Sequence, residues 1–186
     1  MTRFLTLFLL IMAVLFGLQL TPWGQDYFVI PWTNGLAHFC ATLVDVFDEH
    51  AVATGKVLQS TKNGFAVSIE AGCNGLEATY VLLAAVLAFP STWKQKFWGL
   101  FWGFIAIQGL NVVRIVSLFY LGQWNQTAFE WAHLYLWQAL IMIDALVVFL
   151  LWLRWVVREE QRGGTPPAGG APSGGSAGEA PSAAAA

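Results

Sequence analysis

Apolar residues fall into four long runs along this chain, about Phe4–Leu20, Leu76–Pro90, Phe97–Leu121 and Trp131–Trp155. A membrane-spanning helix needs about 20 apolar residues, so all four are read as spans, the second short and beginning at Asn74. Between the first two runs the pattern changes. Trp32, Leu36, Phe39, Leu43, Val44 and Phe47 recur at helical spacing, with Thr33, Asn34, His38, Thr42, Asp45 and Asp48 among them. That alternation predicts an amphipathic helix lying in the interface or packed on the spans, because Asp45 and Asp48 suit a spanning segment poorly. Lys56–Ser60 and Phe65–Glu70 then flank a Lys62-Asn63-Gly64 turn, a hairpin signal that leads straight into Cys73.

The pattern predicts an all-α polytopic membrane protein: a four-transmembrane-helix bundle with an outer interfacial helix and a small β-hairpin. Residues 1–20 form an N-terminal transmembrane anchor and residues 21–72 the outer segment. Residues 73–162 form the transmembrane core. Arg3 before the first run would also suit a signal peptide, but no small-x-small cleavage site follows and the run is long for one. Residues 163–186 are almost wholly Gly, Pro, Ala and Ser, which predicts a disordered cytoplasmic tail without chemistry.

Composition sharpens the class. Of 186 residues, 57% are hydrophobic and 11% charged, and mean hydropathy is +0.59, far from a soluble profile. A net charge of −2 offers no basic face for phosphates, so a nucleic-acid partner is excluded. With Arg3 in the cytoplasm, four crossings put Lys94, Lys96, Arg154, Arg158 and Arg162 inside, leaving only Lys56 and Lys62 outside. Trp23, Trp32, Trp124, Trp131 and Trp137 then fall near the outer interface; Trp93, Trp98, Trp102, Trp152 and Trp155 fall near the inner one. Both termini are expected inside. The two cysteines, Cys40 and Cys73, form no CxxC or paired metal motif, and a disulfide between them stays open. No metal or organic cofactor is suggested.

Candidate chemistry gathers at the outer ends of three spans. Cys73 opens the second, in Glu70-Ala71-Gly72-Cys73-Asn74-Gly75-Leu76-Glu77. A helix N-terminus favours thiolate over thiol; an inert buried cysteine is the alternative. Arg114 sits seven residues from the outer end of the third span, roughly 10 Å deep. An arginine there costs at least ~2.5–3.5 kcal/mol and must be paired, solvated or snorkelling. A structural ion pair with Glu77 is the plain explanation, and Asn111 lies one turn below. His133 opens the last span and is the best-placed general base, ahead of His38 and His50 in the polar outer segment. A Cys–His pair supplies an activated nucleophile, and a fixed guanidinium can hold an oxyanion or lower the thiol pKa.

In order, spacing and membrane position, Glu70-Ala71-Gly72-Cys73-Asn74-Gly75, Asn111-Val112-Val113-Arg114-Ile115 and His133 resemble the exosortase/archaeosortase family. The likeness covers roughly Val67–Trp155, and the compact chain is most similar to the exosortase H subfamily. Asn74 departs from the serine or alanine more often found after the cysteine. The resemblance implies a membrane cysteine protease-transpeptidase, with Cys73, Arg114 and His133 catalytic and Asn74, Glu77 and Asn111 supporting. Its partners would be the lipid bilayer and secreted proteins bearing a C-terminal motif, transmembrane helix and basic cluster. The cleaved protein would pass to water or to an amine or glycan acceptor. The implied location is the outer face of the bacterial cytoplasmic membrane.

Two other classes compete. A non-enzymatic scaffold would pair Arg114 with Glu77 or Asp144 to hold the bundle. A thiol oxidoreductase would use Cys40 and Cys73.

Overall fold

The computed structural model describes residues 2–48 and 51–163. His50 and the tail beyond residue 163 lie outside them. Seven α-helices and three strands follow in order: α1 (Thr2–Leu20), α2 (Pro22–Gly24), α3 (Ile30–Asp48), β1 (Ala51–Thr54), β2 (Val57–Ser60), β3 (Ala66–Ser68), α4 (Leu76–Ala88), α5 (Trp93–Trp124), α6 (Gln126–Trp131) and α7 (Trp137–Gly163). π-helical turns at Gln25–Val29 and Ala132–Leu136 join α2 to α3 and α6 to α7.

Among the described residues, three helices are long and apolar enough to cross a membrane: Thr2–Leu20, Trp93–Trp124 and the run Gln126–Arg162. The expected second span is shorter than that. α4 has 13 residues, about 20 Å of helix against a hydrocarbon core of about 30 Å. Its limits have local causes. Gly75 enters at φ 74, which favours glycine, and Phe89 is extended because Pro90 follows it. α4 is the central helix, packed on α1, α5 and α7. Its Leu82 and Val86 join Ile107, Ala145, Trp152 and Val156 in one core. By contrast, α1 and α7 leave most of their leucines exposed, as lipid-facing helices do.

α5 starts on a capping box: Gln95 N–H donates to Thr92 Oγ1, and Thr92 N–H donates to Gln95 Oε1. Asn125 ends it and caps α6, its Oδ1 accepting from Ala128 N–H at 3.0 Å.

The hairpin forms as the Asn-Gly turn predicts, β2 pairing antiparallel with β3 in the register Val57↔Ser68, Leu58↔Val67, Gln59↔Ala66. β1 pairs on the other side of β2 across a two-residue turn at Gly55-Lys56, so the hairpin is part of a three-stranded sheet, β1-β2-β3. α3 is a helix as expected, packed on the sheet and on α5. Thr33, Leu36, Ala37, Cys40, Ala41 and Val44 are buried, while Phe39 and Phe47 are 58% and 80% exposed. Small side chains, with Leu36 and Val44, line the face that α3 turns to the sheet and α5, and Phe39 and Phe47 face outward. A surrounding apolar phase removes the penalty for that arrangement.

Candidate active site

Cys73 lies in the loop between β3 and α4, three residues before the helix, and is half-buried. The chain turns back there, Cys73 N–H donating to Glu70 O at 2.9 Å. Burial pushes the thiol above its ordinary pKa; Arg114 opposes that, and Glu77 and Glu70 add to it. The helix-terminus expectation of a favoured thiolate is thus corrected: desolvation outweighs the nearby positive charge.

Arg114 approaches from α5 and is 1% exposed. Its guanidinium donates to Cys73 Sγ at 3.3 Å and to Gly72 O at 3.3 Å, while Nε has no partner among the described residues. It forms no carboxylate ion pair there; the ion pair found is Lys56–Glu70, on the surface. Glu77 does not neutralise it. Glu77 Oε1 instead accepts from Gly72 N–H at 3.0 Å and from Gln19 Nε2 at 3.1 Å. Asp144, the other candidate counter-ion, also stands apart, its Oδ2 buried without a partner. The pairing that a scaffold requires is therefore missing among the described residues. What remains is a buried cation touching a thiol, which favours any negative charge that develops there.

Gly72 is gripped at both ends, its N–H by Glu77 and its C=O by Arg114. Asn74 is fully buried: Oδ1 accepts from Leu76 N–H at 3.1 Å, Nδ2 donates to Thr33 Oγ1 at 3.2 Å, and its carbonyl accepts from Trp32 Nε1. Asn74 therefore fixes the loop rather than facing a ligand. Asn111 is also fully buried, with both side-chain polar atoms unpartnered among the described residues.

His133 sits in the π-helical turn Ala132–Leu136, and its ring stacks on Phe129 at 5.7 Å. π-turns inside helices often mark functional positions, because the extra residue re-aims a side chain. The ring lies within electrostatic reach of Arg114, and its Nδ1 is buried without a partner. His38 is exposed on α3. Cys40 is fully buried and its thiol is pushed up to about 12 by desolvation, an inert state. Both cysteines are free. The dithiol alternative has no support in that pair. No group of three His, Cys, Asp or Glu side chains among the described residues is placed to hold a metal.

Two residues that the sequence did not single out complete the site. Gln108, one turn from Asn111 and two from Arg114, donates to Gly75 O at 3.3 Å and Thr79 Oγ1 at 3.2 Å. Its signal was present as a polar residue every third position of an apolar helix. Gln19, at the end of α1, ties that helix to Glu77. Beside Gly72 a cleft of about 280 Å³ opens between α4 and α7, with Glu77 and Gln138 at its polar positions. The larger space, about 640 Å³, lies among tryptophans of α5 and α7 away from the thiol.

Cys73 thus lies against a buried guanidinium in a bundle whose long helices are apolar enough to cross a membrane. Residues 3–153 match the family model described as transmembrane exosortase (Exosortase_EpsH), and the chain belongs to that family. Comparison with curated proteins and with solved structures gave no match.

Proposed function

We propose that this protein is a cysteine protease-transpeptidase of the bacterial cytoplasmic membrane, acting at the outer face on C-terminal sorting signals of secreted proteins. The observation that carries the reading is Arg114: buried, without a carboxylate partner among the described residues, and donating to Cys73 Sγ. A guanidinium left in that state has no structural counter-ion to explain it. It is suited to the charge that appears when the thiol loses its proton and attacks a carbonyl.

In this reading Arg3 and Arg158 lie in the cytoplasm, and the sheet, Cys73 and His133 lie outside. α4 makes the fourth pass as a short central helix, so its ends meet protein rather than lipid. His133 takes the Cys73 proton as sulfur adds to the scissile carbonyl carbon. Arg114 holds the resulting oxyanion. Collapse breaks the C–N bond, the leaving amine takes the proton from His133, and an acyl-thioester remains on Cys73. Water, or an amine or glycan nucleophile, then releases the protein. Glu77 and Gln108 keep the Gly72–Gly75 loop against α5, and Asn111 lies one turn below Arg114.

The test uses membranes that convert precursors carrying an apolar C-terminal helix and a basic tail. Hydroxylamine should divert the product to a hydroxamate by cleaving the thioester. Cys73→Ala should yield none and lower processing on the order of 10⁴-fold or more. Normal processing by Cys73→Ala would remove the nucleophile and the reading with it.

A further inference from the structure

The sheet has two edges, and they differ. β1 packs against α3. β3 is the other terminal strand, and among the described residues no strand pairs with its far side. Register decides what that side offers. Ser60 N–H donates to Phe65 O, and Ile69 N–H donates to Lys56 O. Phe65, Val67 and Ile69 therefore turn their backbone groups toward β2. In an antiparallel ladder the residues between them turn theirs away. The N–H and C=O of Ala66 and of Ser68 thus point off the free edge, and both residues are exposed.

An open edge is a template for another strand, and proteins normally blunt it by keeping it very short, as β3 is at three residues, or with lysine, proline, a bulge or a covering element. Ala66-Val67-Ser68 has no charge and no proline. The edge also leads to the thiol. Cys73 is five positions on from Ser68, at most about 18 Å of chain, and the turn at Glu70–Cys73 shortens that path. A nucleophile reaches a peptide carbonyl only when the backbone is unwound, because a helical carbonyl is already bonded and shielded. An extended segment needs partners for its own backbone groups, and β3 has four to give.

We propose that the free edge of β3, at Ala66 and Ser68, takes an extended segment of the polypeptide to be cleaved as a fourth strand and feeds its scissile bond to Cys73. This rests on the protease reading above and adds how the polypeptide is held. Affinity then comes from main-chain hydrogen bonds, and selectivity from alternate side chains of the added strand.

Proline tests it, because proline removes an N–H that only the added strand would use. Ala66→Pro and Ser68→Pro should leave the β2 ladder intact, as edge prolines do, whereas Val67→Pro should break it. The readout is precursor accumulation in the membrane fraction, by quantitative proteomics of cells carrying each full-length variant beside Cys73→Ala. Ala66→Pro and Ser68→Pro, at normal protein level, should lower processing about tenfold and accumulate the precursors that Cys73→Ala accumulates. If Cys73→Ala blocks processing and both proline variants process normally, the added strand is wrong and the protease reading stands. If Cys73→Ala accumulates nothing, both fall.

Amide hydrogen exchange covers the case in which the proline variants fail to accumulate. Purified Cys73→Ala protein with an accumulated precursor bound should gain protection at Ala66 and Ser68 and not at Val67. No gain at Ala66 and Ser68 overturns the proposal.

Discussion

The two halves of α5 do different work on the same neighbours. Toward its N-terminus, Gly99 and Gly103 sit where any side chain would run into Trp152 and Leu82, and Ile107 closes the same apolar core. Toward its C-terminus, Gln108, Asn111 and Arg114 are buried in succession, and each keeps at least one polar atom without a partner among the described residues. The first half uses small residues to bring helices together, as apolar bundles do without a hydrophobic drive between them. The second half leaves buried polar atoms without a protein partner, which costs stability. A bundle that needed only to hold together would gain from extending the first pattern. On the function proposed above, the difference sets the second half apart as the part that serves the chemistry.

The hardest blow to that comparison is a conservative change at Arg114. Lysine keeps the charge but not the planar fork that reaches Gly72 O and Cys73 Sγ together. Arg114→Lys should accumulate normally and lose on the order of 10²–10³ in processing rate, the cost of an oxyanion donor. Processing per folded enzyme is the measurement, and a near-normal rate would leave Arg114 as a buried charge only.

One methyl group on each side of the divide gives a smaller contrast. Gly103→Ala would press on Leu82 and Val148 in the apolar half. It should cost about 1–3 kcal/mol of stability and leave the rate per folded molecule unchanged. Gly75→Ala meets two obstacles, a φ of 74° and the Gln108 amide 2.8 Å from the added carbon. Relief of that contact moves the Cys73 loop against α5, so its rate per folded molecule should fall on the order of tenfold to a hundredfold. Thermal melts beside single-turnover rates separate the two. Equal behaviour of the two variants would erase the division of α5.

The two halves were not equally legible in the sequence. Long uniform runs announced α1, α5 and α7, because lipid asks only for apolar residues over a sufficient length. Asn63-Gly64 announced the hairpin, with Gly64 at φ 75 and Asn63 Oδ1 accepting from Phe65 N–H. β1 was missed although Gly55 marks its turn, since Ala51–Thr54 is too short to carry a pattern. The apolar spacing of α3 announced a helix but not which of its residues the protein covers, because an apolar phase accepts large apolar side chains as readily as a core does. At the proposed site, Cys73, Arg114 and His133 stand out by residue type and order, and the contact the structure adds is that of Arg114 with Cys73. The grip on Gly72 does not stand out in the sequence, because one of its two bonds ends on a main-chain carbonyl, which no side-chain motif encodes. Gln108 lies outside the Asn111–Arg114 motif, though its spacing, three residues before Asn111 and six before Arg114, places it on their face.

The gentlest probe asks what Arg114 does to the thiol before any substrate arrives. Burial raises the Cys73 pKa and the guanidinium pulls it partly back. Thiolate is the form that reacts with an alkylating reagent, so a raised pKa means slow alkylation at neutral pH and a rate that climbs in the alkaline range. Removing the charge in Arg114→Ala takes away the lowering influence and leaves the burial. Its profile should therefore shift to higher pH, with slower labelling at every pH below the new midpoint. Arg114→Lys keeps a positive charge beside the sulfur and should stay near the parent profile, even though its processing rate has collapsed. Rates of labelling by a membrane-impermeant maleimide in intact cells, from neutral to alkaline pH, supply the measurement, with Cys73→Ala subtracted to remove Cys40. A profile for Arg114→Ala that coincides with the parent would mean that the guanidinium does not act on the resting thiol. Its value would then lie wholly in the transition state, and the polar half of α5 would serve the reacting carbonyl rather than the nucleophile.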